Sequence, residues 1–136
     1  MALSPFLLVA VLVLGVAGED ENVVVLTDEN SQAFLQSHPY VFVKFYATWC
    51  GHCKELAPDF SAAANLLKAK GSQAVFAKVD SPVEVATAST YGVKSYPTLV
   101  LFKDGDVYTD YKGNRATTDF VYFVLSVTGE NIARDL

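Results

Sequence analysis

Cysteine is scarce in this sequence, which holds two cysteines, one tryptophan and two histidines among its 136 residues. A structural zinc site needs about four ligands, and no second C-x-x-C motif accompanies the one formed by Cys50 and Cys53. The histidines are His38 and His52, which do not complete such a set. This composition argues against a metal site in a monomer, and we expect none.

Basic side chains are also few. Ten lysines and arginines stand against fifteen acidic residues, for a formal net charge of −5, and they are scattered along the chain. A nucleic-acid surface needs clustered positive charge, so we expect no nucleic-acid partner. Internal repeats, low-complexity segments and N-x-S/T sequons are absent as well. With 51% hydrophobic residues, the length suits one domain with its own core and is too short for two.

Charge is missing altogether from residues 1–18, and an acidic run over 19–21 follows. The apolar stretch from Pro5 to Ala17 is shorter than the roughly 20 residues of a membrane span. This pattern predicts a signal peptide over residues 1–18, with an uncleaved anchor or a buried strand as the alternatives. The mature chain would then meet an oxidising compartment and would have no contact with a membrane.

Apolar periodicity predicts the order βαβαβαββα, hence an α/β fold in which one mixed sheet carries helices on both faces. Runs of β-branched and aromatic residues predict strands over 23–26, 40–47, 74–79, 98–103 and 107–111. Helical spacing predicts helices over about 27–37, 53–71, 81–92 and 117–129. Thr27 and Asp28 are the expected caps of the first helix. Asp104-Gly105 is the expected turn of a hairpin.

The segment W-C-G-H-C-K, residues 49–54, falls where the second predicted strand ends and the second predicted helix begins. A disulfide between Cys50 and Cys53 closes too short a loop to be a useful staple. Thiol–disulfide exchange fits better, because the amides and dipole at a helix N-terminus stabilise a Cys50 thiolate. Cys53, one turn further in, then resolves the mixed disulfide. Gly51 leaves the turn unobstructed. A protonated His52 would stabilise the Cys50 thiolate and so favour the reduced pair. The alternative is that His52 is a solvated turn residue.

Further motifs accompany the cysteines in a fixed order. F-Y-A precedes the pair and L-A-P follows it, and A-K-V-D, Y-G-V-K-S-Y-P-T, F-K-D-G and G-N-R come later in the chain. Together they resemble the catalytic domain of the protein disulfide isomerase family, within the thioredoxin fold. The likeness runs from about Val23 to Gly129. It implies a thioredoxin-like catalytic domain over residues 19–129 and a C-terminal tail over residues 130–136.

The resemblance implies a substrate-binding surface around the pair. The proline of Y-P-T is cis in the family and faces the active disulfide, so a cis Tyr96–Pro97 bond is expected. The loop from Ser95 to Pro97 would offer backbone groups to an extended peptide, in the manner of strand addition. Ser95 departs from the glycine common at this place. Trp49 would present an apolar surface beside Cys50, or else pack in the core.

The resemblance also implies residues that tune the redox pair. Arg115 matches a family arginine that favours the thiolate of Cys53, with a solvated loop arginine as the alternative. Lys44 departs from the buried glutamate of many members, which pairs with a lysine at the position of Lys78. Two cations in an apolar interior are costly, so one of them is expected to reach water or lose its proton. We hypothesise that Lys44 accepts the proton of Cys53 or stabilises its thiolate.

The function so implied is a thiol–disulfide oxidoreductase or disulfide isomerase that acts on unfolded or misoxidised secretory polypeptides through a Cys50–Cys53 disulfide. The pair carries the electrons, so no cofactor is expected, and it exchanges with glutathione or an upstream thiol oxidase. We expect a monomer in the endoplasmic reticulum lumen. Secretion is the alternative, because Ala133 to Leu136 only faintly resemble a retrieval signal. Other readings are a thioredoxin-type reductase and a chaperone-like module that binds unfolded chains.

Overall fold

The computed structural model describes residues 22–132. The predicted signal peptide and the A-R-D-L ending lie outside the described residues, so both stay predictions. Within the described part, the order of strands and helices is the predicted one. The strands are β1 Val23–Val25, β2 Tyr40–Tyr46, β3 Ala74–Asp80, β4 Thr98–Lys103 and β5 Asp106–Asp110, and the helices are α1 Ser31–Gln36, α2 Gly51–Ala69, α3 Val85–Thr90 and α4 Thr117–Thr128.

The strands form one mixed sheet in the order β1-β3-β2-β4-β5. β3 runs parallel to both β1 and β2, whereas β4 is antiparallel to β2 and β5 is antiparallel to β4. A central strand covered on both faces reads as a continuous apolar run. β2 has this character, with Val41, Phe42, Val43 and Phe45 at most 1% exposed. The predicted mixed sheet is confirmed.

Helices cover both faces of this sheet, as predicted. On one face, α2 and α4 pack over the strands in a cluster that includes Phe42, Phe60 and Phe120. On the other face, Leu35 of α1 packs with Val43 and with other buried strand residues, among them Phe45 and Phe102. Successive side chains of a strand point to opposite faces, so the strands contribute to both clusters. The packing of α2 fixes its N-terminus beside the carboxyl end of β2.

Two helices begin later than the sequence predicts. α1 starts at Ser31 and α3 at Val85, and a turn precedes each. Asp28 does not cap α1. Its carboxylate instead accepts hydrogen bonds from the amide and the hydroxyl of Thr87 in the first turn of α3, both at 2.8 Å. The bond from the Thr87 amide and then that from its hydroxyl lower the pKa of Asp28, against the opposing effect of burial.

The β4–β5 hairpin has its turn at Asp104-Gly105 as predicted, and β4 has its predicted bounds, whereas β5 lies one residue earlier than predicted, at Asp106–Asp110. Asp104 and Gly105 have φ values of 52° and 90°, and positive φ at both central residues is the requirement of the type I′ hairpin turn. Among the helices within residues 22–132, none is long and apolar enough to cross a bilayer.

Candidate active site

The cysteine motif occupies the junction between β2 and α2. β2 ends at Tyr46 and α2 begins at Gly51, and the Cys50 amide donates to the carbonyl of Ala47 at 3.2 Å. Cys50 is the N-cap residue of α2, and its sulfur accepts a hydrogen bond from the amide of Cys53 at 3.2 Å. The free amides and positive dipole end of a helix N-terminus stabilise a thiolate here.

The two cysteines are joined in a disulfide, with their Cα atoms 5.2 Å apart. Cys50 is 7% exposed and Cys53 is 5% exposed, and both pack against Ala47, Tyr46 and Tyr96. The pairing that the resemblance implies is therefore present. Because so little of either cysteine meets solvent, a reacting partner has to fit closely around the site.

The loop from Ser95 to Pro97 forms the opposite wall of the site. The Tyr96–Pro97 bond is cis, as expected, and the carbonyl oxygen of Tyr96 lies 3.6 Å from the sulfur of Cys50. The hydroxyl of Thr98 donates to the carbonyl of Ser95 at 2.6 Å, which holds the loop in place. An extended chain laid along this loop would pass directly beside Cys50.

Trp49 lies on the surface at the entrance to the site. Its side chain is 69% exposed, so the core-packing alternative is wrong. The indole contacts the ring of Tyr96 edge to face, with centroids 5.8 Å apart. Aromatic pairs in this geometry are favourable, and they present a rigid apolar surface. The pair bridges the cysteine motif and the cis-proline loop.

Lys44 is buried in the middle of β2, at 4% exposure. It lies opposite Lys78 in the parallel register of β2 and β3. Its Nζ lies 5.2 Å from the ring centroid of Phe60 and 5.6 Å from that of Tyr46. Aromatic faces attract a cation at these distances. The rings thus provide a favourable environment for the amine of this buried lysine.

A cleft of about 210 Å³ brings this lysine together with Cys53 of the redox pair. Lys44 and Lys78 line it, and so does Cys53. Lys54, which follows the motif, contributes a further amine to the same cleft. Cys53 therefore shares this cleft with three amines, whose protonated forms favour a thiolate over a thiol.

Arg115 lies in a different cleft, beside the first turns of α2. This cleft has a volume of about 220 Å³ and is lined by His52, Glu55, Leu56 and Arg115. The Nδ1 atom of His52 lies 3.6 Å from a carboxylate oxygen of Glu55, and both side chains are 77% exposed. Sequence reasoning missed Glu55. The signal that could have found it is the i, i+3 spacing of His52 and Glu55 in the first turns of a helix.

The positive charge of Arg115 affects the pKa of Tyr111. Burial raises the pKa of Tyr111 and the carboxylate of Asp119 adds to this effect, whereas the guanidinium of Arg115 opposes it.

Among residues 22–132, histidine, cysteine and acidic side chains form no group of three or more that could hold a metal ion.

The thioredoxin family model matches residues 22–126. Protein disulfide-isomerase 1 of Caenorhabditis elegans is 46% identical over 127 residues, which cover 93% of this chain and 26% of that protein. Human ERp44 has a TM-score of 0.73 at 30% identity, covering 76% of this chain and 30% of ERp44. A variant thioredoxin of Halobacterium salinarum has a TM-score of 0.65 at 32% identity, covering 81% of this chain and 93% of that protein.

The chain spans only about a quarter of the length of the disulfide isomerases that it matches, 26% and 23% for those of Caenorhabditis elegans and Oryctolagus cuniculus. The boundaries of a domain over residues 19–129, with a signal peptide before it and a tail after it, stay a prediction. The family match and the fold agree with each other over most of the chain. The chain therefore belongs to the thioredoxin family, and its predicted resemblance to the protein disulfide isomerases is confirmed.

Proposed function

We propose that this protein is a thiol–disulfide oxidoreductase that oxidises, reduces or rearranges disulfides in folding polypeptides. The observation that carries the proposal is the Cys50–Cys53 disulfide at the N-terminus of α2, beside the cis-proline loop. A pair that closes so short a loop stabilises a fold little. Placed where a thiolate is stabilised and a substrate chain can approach, it is suited to exchange.

In the reductive direction, the thiolate of Cys50 attacks one sulfur of a substrate disulfide. A mixed disulfide forms and the first substrate thiolate leaves. The thiolate of Cys53 then attacks the sulfur of Cys50, which releases the second substrate thiolate and restores the Cys50–Cys53 disulfide. Two electrons pass to the substrate, and its two thiolates take up the protons that the cysteines gave up. The reverse sequence places a disulfide in the substrate.

The other residues around the pair have supporting roles in this proposal. Gly51 keeps the approach to Cys50 open, because nothing lies within 4 Å of the position where a Cβ atom would stand. A protonated His52 favours the thiolate of the reduced pair and makes the disulfide more oxidising. Trp49 and Tyr96 contact apolar side chains of the substrate. Arg115, which lines a cleft with Leu56, favours the thiolate of Cys53 through its positive charge.

The proposed substrates are unfolded or misoxidised secretory polypeptides, and the proposed redox partner is glutathione or an upstream thiol oxidase. The signal-like segment over residues 1–18 supports a site of action in the lumen of the endoplasmic reticulum, with secretion as the alternative. We propose that the protein acts as a monomer. The described residues form one redox domain, and for this domain taken alone we expect higher activity on small substrates than on scrambled proteins.

The reduction potential of the Cys50–Cys53 pair tests this proposal. Protein disulfide isomerase lies near about −180 mV and thioredoxin near about −270 mV. We expect a value toward the first figure, because a protonated His52 would place positive charge beside Cys50. Equilibration of the protein with glutathione buffers of graded ratio gives the value. A potential toward the second figure would contradict the oxidase and isomerase roles and make the protein a reductase.

The buried lysine yields a second prediction. Lys44→Met keeps the length of the side chain in its apolar site and removes the amine from the cleft beside Cys53. We expect release of a small thiol from a Cys50 mixed disulfide to slow by about tenfold at pH 7. The pH at which resolution becomes fast should rise. Stopped-flow measurement of thiol release between pH 5 and pH 10 records both effects.

Lys103→Met is the matched control for this experiment. The Nζ of Lys103 lies 5.7 Å and 5.6 Å from the ring centroids of Tyr40 and Tyr108, so it has a similar aromatic setting far along the sheet from the cysteines. Its replacement should leave the pH profile of resolution unchanged. An unchanged profile for Lys44→Met as well would show that Lys44 has no part in the chemistry of Cys53.

A further inference from the structure

We propose that the cleft lined by His52, Glu55, Leu56 and Arg115 binds the amino-acid end of a small zwitterionic thiol of the γ-glutamyl type, as in glutathione. The inference rests on the proposed function, since it names the small-molecule substrate of the same redox pair. It assigns the recognition of that substrate to Glu55 and Arg115.

The cleft combines opposite charges in a small space beside the motif. Its volume is about 220 Å³, and Arg115 and Glu55 both line it. Glu55 is held toward His52 by a 3.6 Å contact while 77% of its side chain is exposed. The carboxylate therefore stays available to a ligand. Leu56, which is 2% exposed, gives the cleft an apolar floor.

An α-amino acid group carries a carboxylate and an ammonium on the same carbon atom. A guanidinium binds a carboxylate through two parallel N–H···O hydrogen bonds. Arg115 can bind the carboxylate of the ligand in this way. An ammonium needs a negatively charged hydrogen-bond acceptor nearby. The carboxylate of Glu55 can accept from the ammonium of the ligand. With Arg115 and Glu55 together, the cleft can bind both charges of a zwitterion, whereas a simple anion or cation would use only one of them.

The length of the γ-glutamyl arm of glutathione matches the distance along α2 between Cys50 and Glu55. Cys50 and Glu55 are five positions apart at the start of α2, which corresponds to about 7.5 Å along a helix axis. The γ-glutamyl arm of glutathione has about the length of two extended residues, or roughly 7 Å. A glutathionyl group bonded to the sulfur of Cys50 can thus place its amino-acid end between Glu55 and Arg115.

The exchange at this site needs no reactant other than the reduced protein and glutathione disulfide. The Cys50 thiolate attacks glutathione disulfide, one S–S bond breaks, and a Cys50–glutathione mixed disulfide forms with loss of one glutathione thiolate. Cys53 then attacks the sulfur of Cys50 and releases the second. The protein dithiol is oxidised by two electrons, one glutathione disulfide is reduced to two glutathione molecules, and the two cysteine protons end on them.

Oxidation rates of the reduced protein by four disulfides test the proposal, with Glu55→Gln as the variant. The probes are glutathione disulfide, the uncharged hydroxyethyl disulfide, the cationic cystamine and the anionic dithiodiglycolate. We expect the second-order rate constant for oxidation by glutathione disulfide to fall about threefold, the size of an exposed charge contact. The rate with hydroxyethyl disulfide should stay unchanged. Glu29→Gln, an exposed glutamate outside the cleft, should alter neither rate.

The sign of the effect separates docking from general electrostatics. Glutathione disulfide is a net anion, so loss of a surface carboxylate without docking would speed its reaction, as it should for dithiodiglycolate. A faster reaction with glutathione disulfide, or an equal change for glutathione disulfide and hydroxyethyl disulfide, would overturn the docking site and leave the exchange function intact. A wild-type protein that reacts with none of the four disulfides would overturn the proposed function itself.

Discussion

Replacement of Cys50 by serine is expected to abolish thiol–disulfide exchange, with a loss of roughly 1000-fold or more. A serine hydroxyl is not ionised near neutral pH, and it cannot form the mixed disulfide that the reaction requires. The expected loss is measured as reduction of a small disulfide substrate and as reoxidation of the protein. Far-UV circular dichroism and an unchanged unfolding midpoint should show that the fold is kept, because the bond closes a very short loop.

Cys53→Ser gives a different and equally specific result. Its Cys50 can still attack, but no thiol resolves the product, so a mixed disulfide should accumulate and be visible by intact mass. The variant with serine at both positions should neither react nor trap a substrate. If that double variant still suppressed aggregation of an unfolded protein as the wild type does, the chaperone-like alternative would gain support. Persistent exchange in Cys50→Ser would contradict the assigned nucleophile.

Phe42→Ala is expected to destabilise the fold by about 3–5 kcal/mol. The side chain is fully buried on the face of β2 that α2 and α4 cover. Its ring packs among aromatic neighbours at centroid distances between 5.2 and 5.9 Å. Those neighbours belong to α2, β3, the segment after β5 and α4, so they cannot all move inward to fill the cavity. Urea unfolding at equilibrium measures the change in free energy.

Tyr122→Ala is the matched control for Phe42→Ala. Tyr122 is on α4 but is 56% exposed, so its removal should change the free energy of unfolding by only about 0.5 kcal/mol. The contrast between the two variants isolates burial from the loss of an aromatic ring as such. A cost below about 1 kcal/mol for Phe42→Ala would mean that the α2–α4 face repacks around the cavity, contrary to the close packing seen here.

Most of the fold was predictable because its signals are local. The apolar run of β2 reads as a covered strand, and the spacing of Leu56, Phe60 and Leu67 reads as a helix. Asp104-Gly105 reads as a hairpin turn. These patterns depend on residues within one or two turns of each other, and the structure bears them out to within a few residues.

The departures arose where a partner distant in sequence decided the outcome. Asp28 looked like the cap of α1, yet its carboxylate bonds to Thr87, on α3. A carboxylate binds whichever helix N-terminus the fold places beside it, and local sequence does not state which one that is. The shared cleft of Glu55 and Arg115 was missed for a related reason, because the two residues are far apart in the sequence and only the fold brings them together.

The sequence by itself determined the chemistry of this protein: two cysteines three positions apart, followed by a helical pattern, predict a reactive pair at a helix N-terminus. The tertiary structure alone decided what surrounds that pair. It brought the cis-proline loop to within 3.6 Å of Cys50, exposed Trp49, and placed Lys44 and Lys78 in the cleft beside Cys53. Bond reactivity follows from residue type and the nearest backbone, whereas the charges and surfaces that tune it come from strands and loops that only the folded sheet brings together.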